Sequence, residues 1–348
     1  MEAPVRHIAT GRQRRQLCPV EKPIGPGAEA TLKMSDVKVT RHMHTLKNGE
    51  QMFYQLMRPA TGKPKYVLVY LHGYTSHSEL YLEAFARVAR EGALMVLPDL
   101  PNHGRSDGLL GYIPDWFAWV DVVWEFLDAV VLPLRNSDAG PLKLFCSGGS
   151  LGGGLAACLA VQRPAFFDGV VLIAPMLFVS DDIKPPMIVQ ILFRRLLGPF
   201  KLTWPLTPSK STDSFDFRVP SQGGGFTQSN PLSMCGLKPR LASALQMGII
   251  FPEWMQEKFK EMRTPFLVLH GSADKVTDPE GSRRLFAEAP VSDKKITYYE
   301  GAYHCELLCC LPGNATLIGE DFLPEQSAQT QQCLSDVAKW VEARLEAA

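Results

Sequence analysis

Gly148-Gly149-Ser150-Leu151-Gly152 sets a serine among small residues where an apolar run gives way to a helical pattern. A serine hydroxyl is a weak nucleophile at its own pKa and needs an adjacent base. Small neighbours let the chain turn sharply, which lifts the hydroxyl to a sheet edge at a helix N-terminus. Two later loops supply an acid and then a histidine, the chain order that such an elbow requires. Asp274 lies in His270-Gly271-Ser272-Ala273-Asp274-Lys275-Val276, and His304 closes Glu300-Gly301-Ala302-Tyr303-His304. Ser150 is therefore read as nucleophile, His304 as general base and Asp274 as the carboxylate that orients it, a set suited to acyl transfer. The developing oxyanion needs two backbone donors. The N–H of Leu151 is one, and the N–H of Tyr74, in His72-Gly73-Tyr74, is the candidate for the other. This chemistry calls for no metal and no organic cofactor.

Other polar residues have structural readings. His72 is expected to hold its own turn. Asp99, His103 and Ser106 lie too close together on one loop to be triad partners, and are expected to make buried turn hydrogen bonds. Cys305, beside His304, is read as packing.

The elements that must position these groups follow from the pattern. Two β-like runs between Val37 and Met57 flank Lys47-Asn48-Gly49, a hairpin signal. Apolar strands over residues 66–71, 94–97, 142–146, 170–173, 266–269 and 296–299 alternate with helical patterns over 80–90, 116–131 and 150–161 and through Trp340. Near-continuous apolar strands alternating with helices mean a mostly parallel sheet covered by helices on both faces. The alternation breaks over residues 176–262, read as an inserted helical cap over the C-terminal edge of the sheet. Within it, residues 176–201 are rich in apolar side chains, and Pro185-Pro186 is suited to opening a helix. Residues 1–35 are read as a disordered tail; its arginines leave organellar targeting open.

The chain has 348 residues, enough for one large domain (residues 36–348) with an insertion. Its 36 basic and 36 acidic residues balance, so no global field draws it to nucleic acid. The 8 cysteines form no paired spacing, which points to a reduced, cytoplasmic protein. Asn314-Ala315-Thr316 fits a glycosylation sequon but follows no secretory signal.

These residues resemble the monoacylglycerol lipase family, in particular its plant and algal branch. The resemblance rests on HGY at His72, HGRSDGLLGYIP from His103, GGSLGG from Gly148, NPLSMCGLKPRL from Asn230, PFLVLHGSADKVTDP from Pro265 and YYEGAYH from Tyr298. It implies an α/β-hydrolase fold and a serine esterase for monoacylglycerols, cytosolic or peripheral to membranes through the cap. Related members cleave lysophospholipids or phenolic esters such as caffeoylshikimate. The chain departs from animal members at Ser76 and Leu80, where they carry a Glu and an Arg near the glycerol headgroup. It departs again at Leu307, where they carry a second histidine. Epoxide hydrolases and dehalogenases of this fold need an aspartate where Ser150 stands. A catalytically inactive binding protein on the same fold is the alternative from another class.

Overall fold

A computed structural model describes residues 10–18, 36–136, 140–180, 238–310 and 323–346, with short pieces between 187 and 232. Pro185-Pro186, most of the stretch from Asn230 and the sequon at Asn314 lie outside the described residues. In chain order the elements are α1 (Gly11–Leu17), β1 (Val37–Thr45), β2 (Gln51–Pro59), β3 (Tyr66–Leu71), α2 (Leu82–Arg90), β4 (Ala93–Pro98), α3 (Trp116–Phe126), β5 (Lys143–Gly149), α4 (Leu151–Gln162) and β6 (Gly169–Ile173). Then come α5 (Met187–Leu192), α6 (Asp213–Asp216), α7 (Leu241–Leu245), α8 (Phe251–Lys258), β7 (Phe266–Gly271), α9 (Pro279–Glu288), β8 (Lys294–Tyr299), α10 (Glu306–Cys309) and α11 (Pro324–Glu346).

The strands form one eight-stranded sheet in the order β1-β2-β4-β3-β5-β6-β7-β8. β1 and β2 form the antiparallel hairpin expected at Asn48-Gly49, with Gly49 at φ 87°. β2 runs antiparallel to β4, and β3 to β8 are parallel. Every residue of β3 is buried, because successive side chains enter opposite cores. Val67, Val69 and Leu71 pack with α3, α4, α8 and α9, while Tyr66, Leu68 and Tyr70 pack with α2, α10 and α11. This is the doubly covered, mostly parallel sheet that the sequence implies.

The helix read over residues 116–131 is α-helical only to Phe126, then widens into a π turn over Leu127–Val131. Pro133 follows, and a proline in the ladder can neither donate to nor clear the carbonyl four residues back. Gln246–Ile250 widens in the same way ahead of Pro252.

Inside the stretch read as a tail, Thr10 caps α1: Gln13 N donates to Thr10 Oγ1, and Thr10 N donates to Gln13 Oε1. Its Arg14 is buried and donates to the carbonyls of Gly104 (2.6 Å), Ser106 (2.6 Å) and Gly108 (3.1 Å). Gly11 is packed so tightly that a Cβ there would lie 2.4 Å from Asp107 Cα. Residues between β6 and β7 bond to loops at the C-terminal ends of the strands. Arg240 Nε donates to Leu110 O at 2.8 Å, and Cys305 N donates to Asp216 O at 2.9 Å.

Candidate active site

Ser150 joins β5 to α4 at φ 54° and ψ −116°, a left-handed backbone that costs a non-glycine residue. Three hydrogen bonds hold it there: Ser150 N to Ile173 O (3.0 Å), Gly154 N to Ser150 O (3.0 Å) and Met176 N to Ser150 O (2.9 Å). The flanking glycines are required by space. A Cβ on Gly148 would lie 2.1 Å from Gly152 O, and one on Gly152 would lie 1.9 Å from Leu71 O.

Asp274 follows β7 and His304 follows β8, so both emerge at the sheet edge that carries Ser150. His304 Nε2 stands 2.9 Å from Ser150 Oγ, and its Nδ1 stands 2.7 Å from Asp274 Oδ2. Nδ1–H donates to the carboxylate, which leaves Nε2 to accept the hydroxyl proton. Asp274 Oδ1 accepts from Val276 N (2.8 Å) and Thr277 N (3.0 Å), so its orientation is fixed. Burial alone would raise the Asp274 carboxyl, but His304 and His270 outweigh it and hold the carboxyl well below its usual range. Burial alone would lower the His304 imidazole. The Asp274 carboxylate reverses this and raises it above its ordinary value, with a smaller contribution from Asp216. The other carboxylate of this loop, Asp278, caps α9, accepting from Glu280 N.

Of the two amides read as oxyanion donors, that of Leu151 follows the serine directly and that of Tyr74 belongs to a neighbouring turn. Leu151 opens α4, where the first amides have no partner within the helix. The turn carrying Tyr74 is adjacent, since a Cβ on Gly73 would lie 3.5 Å from Ser150 Cβ. Its shape is held from behind. Leu100 N donates to His72 Nε2 (2.9 Å), His72 Nδ1 donates to Gly73 O (2.8 Å), and Tyr74 OH donates to Gly111 O (2.7 Å). Burial pushes His72 down to about 4, so it serves as a neutral brace.

Asp99 accepts from Ser78 N and Arg105 N, both at 2.7 Å, and Ser106 Oγ donates to Asp99 O, the buried turn bonding expected of that loop. The Cys305 thiol is pushed well above its usual value by its hydrogen bond with Cys309 and by burial, so it stays protonated. Leu307 is buried in the core with α11, and Ser76 Oγ donates to Tyr81 OH.

Two residues at the site escaped the sequence reading. Thr277 Oγ1 lies 2.9 Å from Asp274 Oδ2, 3.2 Å from His304 Nδ1 and 3.1 Å from Ala174 O. His270 Nε2 lies 3.1 Å from Thr277 O and 3.3 Å from Asp274 Oδ2. The spacing Asp-x-x-Thr was the available signal, because a loop aspartate commonly bonds the amides two and three residues on.

The sequence pattern of the family described as serine aminopeptidase, S33 matches residues 62–308. The chain belongs to this family. Lipases and esterases similar to it agree with the resemblance carried by the motifs. The chain is 28% identical to monoglyceride lipase of Homo sapiens, over 74% of this chain and 80% of that one. It is 27% identical to caffeoylshikimate esterase of Arabidopsis thaliana, over 86% and 83%. The monoacylglycerol lipase of Paleococcus ferrophilus superposes with a TM-score of 0.63 at 25% identity, covering 88% of this chain and 99% of that one. The fold is that of the α/β-hydrolases.

Proposed function

We propose that this S33-family protein is a carboxylic ester hydrolase that cleaves monoacylglycerols to fatty acid and glycerol. The observation that carries the reading is the relay from Ser150 Oγ through His304 to Asp274, at 2.9 and 2.7 Å. In the first step the Ser150 proton passes to His304 Nε2 while Oγ bonds the ester carbonyl carbon. The carbonyl electrons move to oxygen, facing the amides of Tyr74 and Leu151. Collapse breaks the bond to the glycerol oxygen, which leaves with the proton from Nε2. Water, deprotonated by the same nitrogen, then releases the fatty acid and restores Ser150.

The segment between β6 and β7 is the proposed cap. Exposed there are Met187 (75%), Ile188 (77%), Ile191 (49%), Phe200 (71%) and Trp204 (59%). Apolar groups exposed in this density suit peripheral contact with a lipid surface. Among the described residues no helix is long and apolar enough to cross a membrane. All cysteines in the described residues are free, which suits the cytoplasm.

The relative in Arabidopsis favours one second reading, a phenolic-ester esterase. Purified protein assayed on monoacylglycerols, lysophospholipids and caffeoyl esters distinguishes them: long-chain monoacylglycerols are expected to give the highest kcat/KM. Preference for caffeoyl or acetyl esters would overturn the lipase assignment. A fluorophosphonate is expected to label Ser150 and abolish turnover; an unlabelled Ser150 would overturn the esterase assignment.

A further inference from the structure

Glu306 lies two residues beyond His304 and is fully buried. Its carboxylate has about four lone-pair positions, and the structure fills four. Oε1 accepts from Arg218 N (2.7 Å) and Gln326 Nε2 (2.7 Å). Oε2 accepts from Arg218 Nε (2.8 Å) and Tyr303 N (3.0 Å). Arg218 belongs to the segment between β6 and β7, Gln326 to α11 and Tyr303 to the turn that presents His304. One buried carboxylate therefore ties three separate parts of the chain.

The amides on either side of His304 show what this does. Tyr303 N ends on Glu306, and Cys305 N ends on Asp216 O at 2.9 Å, two residues from Arg218. The main chain of the histidine is thus bracketed from behind by Glu306 and by the inserted segment, and Arg218 joins the two halves of the bracket. The front of the same turn is held separately, by Gly301 N to Ser272 Oγ (2.8 Å) and Ala273 N to Ala302 O (3.2 Å). Arg218 is held in turn by Glu325 and Gln329 of α11. His304 must keep Nε2 on Ser150 and Nδ1 on Asp274 at once, and a shift of about 1 Å can cost on the order of a hundredfold in rate.

We infer that Glu306 is a positioning residue for hydrolysis: it locks the His304 turn to the inserted segment through Arg218, so that seating of that segment and alignment of the general base are one event. The inference rests on the assignment of His304 as base to Ser150.

Glu306→Gln tests it, because an amide offers fewer lone pairs and turns its own donors toward Arg218 and Tyr303. Arg218→Ala cuts the link from the far side without touching the buried position, and decides the matter if Glu306→Gln fails to fold. Turnover of a short soluble ester such as p-nitrophenyl butyrate is measured per active site, with sites counted by stoichiometric fluorophosphonate labelling. Glu306→Gln is expected to lower kcat about tenfold with KM unchanged, and Arg218→Ala to lower it severalfold. The double variant should be no slower than Glu306→Gln alone, since both remove one link. If both single variants keep kcat per titrated site within about twofold of the parent, whatever their thermal stability, the residue is structural and the inference falls. Ser150→Ala is run alongside. Residual turnover there would overturn the assignment of the nucleophile itself, whereas silent Ser150→Ala with normal Glu306→Gln and Arg218→Ala overturns only the lock.

Discussion

His304 sits between opposing influences: burial disfavours its charged form, and Asp274 favours it. The carboxylate prevails, so the imidazole is raised above its ordinary value. Below that pKa it is an imidazolium with no lone pair for the Ser150 proton. The acidic limb of kcat/KM against pH should therefore have its midpoint above that of an ordinary imidazole, and a midpoint well below it would mean that Asp274 does not face His304 in solution. Asp274→Asn removes the partner that selects the tautomer; by analogy with the same change in a serine protease triad, kcat should fall about 10⁴-fold. The proposed nucleophile offers a separate stability test. Ser150 is held at φ 54°, a backbone that glycine adopts freely and alanine does not. Ser150→Gly should stabilise the fold by about 1 kcal/mol in urea titrations while abolishing turnover. Ser150→Ala should abolish turnover with stability close to the parent. These residues were legible in the sequence because each follows an apolar strand, in an order that puts all of them at one sheet edge. His270 was not, since a histidine four residues ahead of the aspartate carries no pattern of its own, and Thr277 left only the Asp-x-x-Thr spacing of a turn, which says nothing of its contact with His304.

Legibility fell with element size. The strands announce themselves through runs such as Tyr66–Leu71, buried on both faces, and the hairpin through Asn48-Gly49. The short helix α1 has no apolar stripe. What seats it is Arg14, whose guanidinium meets three carbonyls of the loop after β4, and polar burial of this kind leaves no hydrophobic period to read. Burial pushes Arg14 down to about 10, which still leaves it charged at neutral pH. Arg14→Met should cost about 3 kcal/mol, since carbonyls would be left buried without donors. Equilibrium unfolding would show it, and a loss below about 0.5 kcal/mol would mean that α1 does not dock. The glycines of the elbow make a harsher test of packing. Gly152→Ala would drive a methyl to 1.9 Å from Leu71 O, and should abolish soluble expression or labelling by a fluorophosphonate, whereas Gly248→Ala, where a Cβ meets nothing within 4 Å, should do neither.

At the scale of the molecule, the parallel sheet carries Ser150, Asp274 and His304 at one edge, and the segment between β6 and β7 bonds to the loops at that edge. That segment was the least legible part, because its mixed Pro, Gly and apolar pieces fit neither the period of a strand nor that of a helix. If it lines an acyl tunnel, each buried CH₂ is worth about 0.8 kcal/mol, so kcat/KM should climb with acyl length until the tunnel is full. A charge placed at Ile188 or Ile191 should weaken sedimentation with phospholipid vesicles more than hydrolysis of a short soluble ester. Equal loss of both would mean that these side chains hold the fold. The docking of α1 bears on the molecule in another way. Its Arg14 contacts lie 90 to 94 positions along the chain, so α1 and the loop it grips are, in effect, a peptide and its receptor that happen to be covalently joined. The tether supplies a high local concentration, so the peptide's own affinity can be modest. A chain beginning after Cys18 should therefore recapture a labelled synthetic peptide of residues 1–18 in an anisotropy titration, and the same peptide with methionine in place of Arg14 should remain free. A fusion partner attached ahead of α1 would be carried close to the loop that α1 grips.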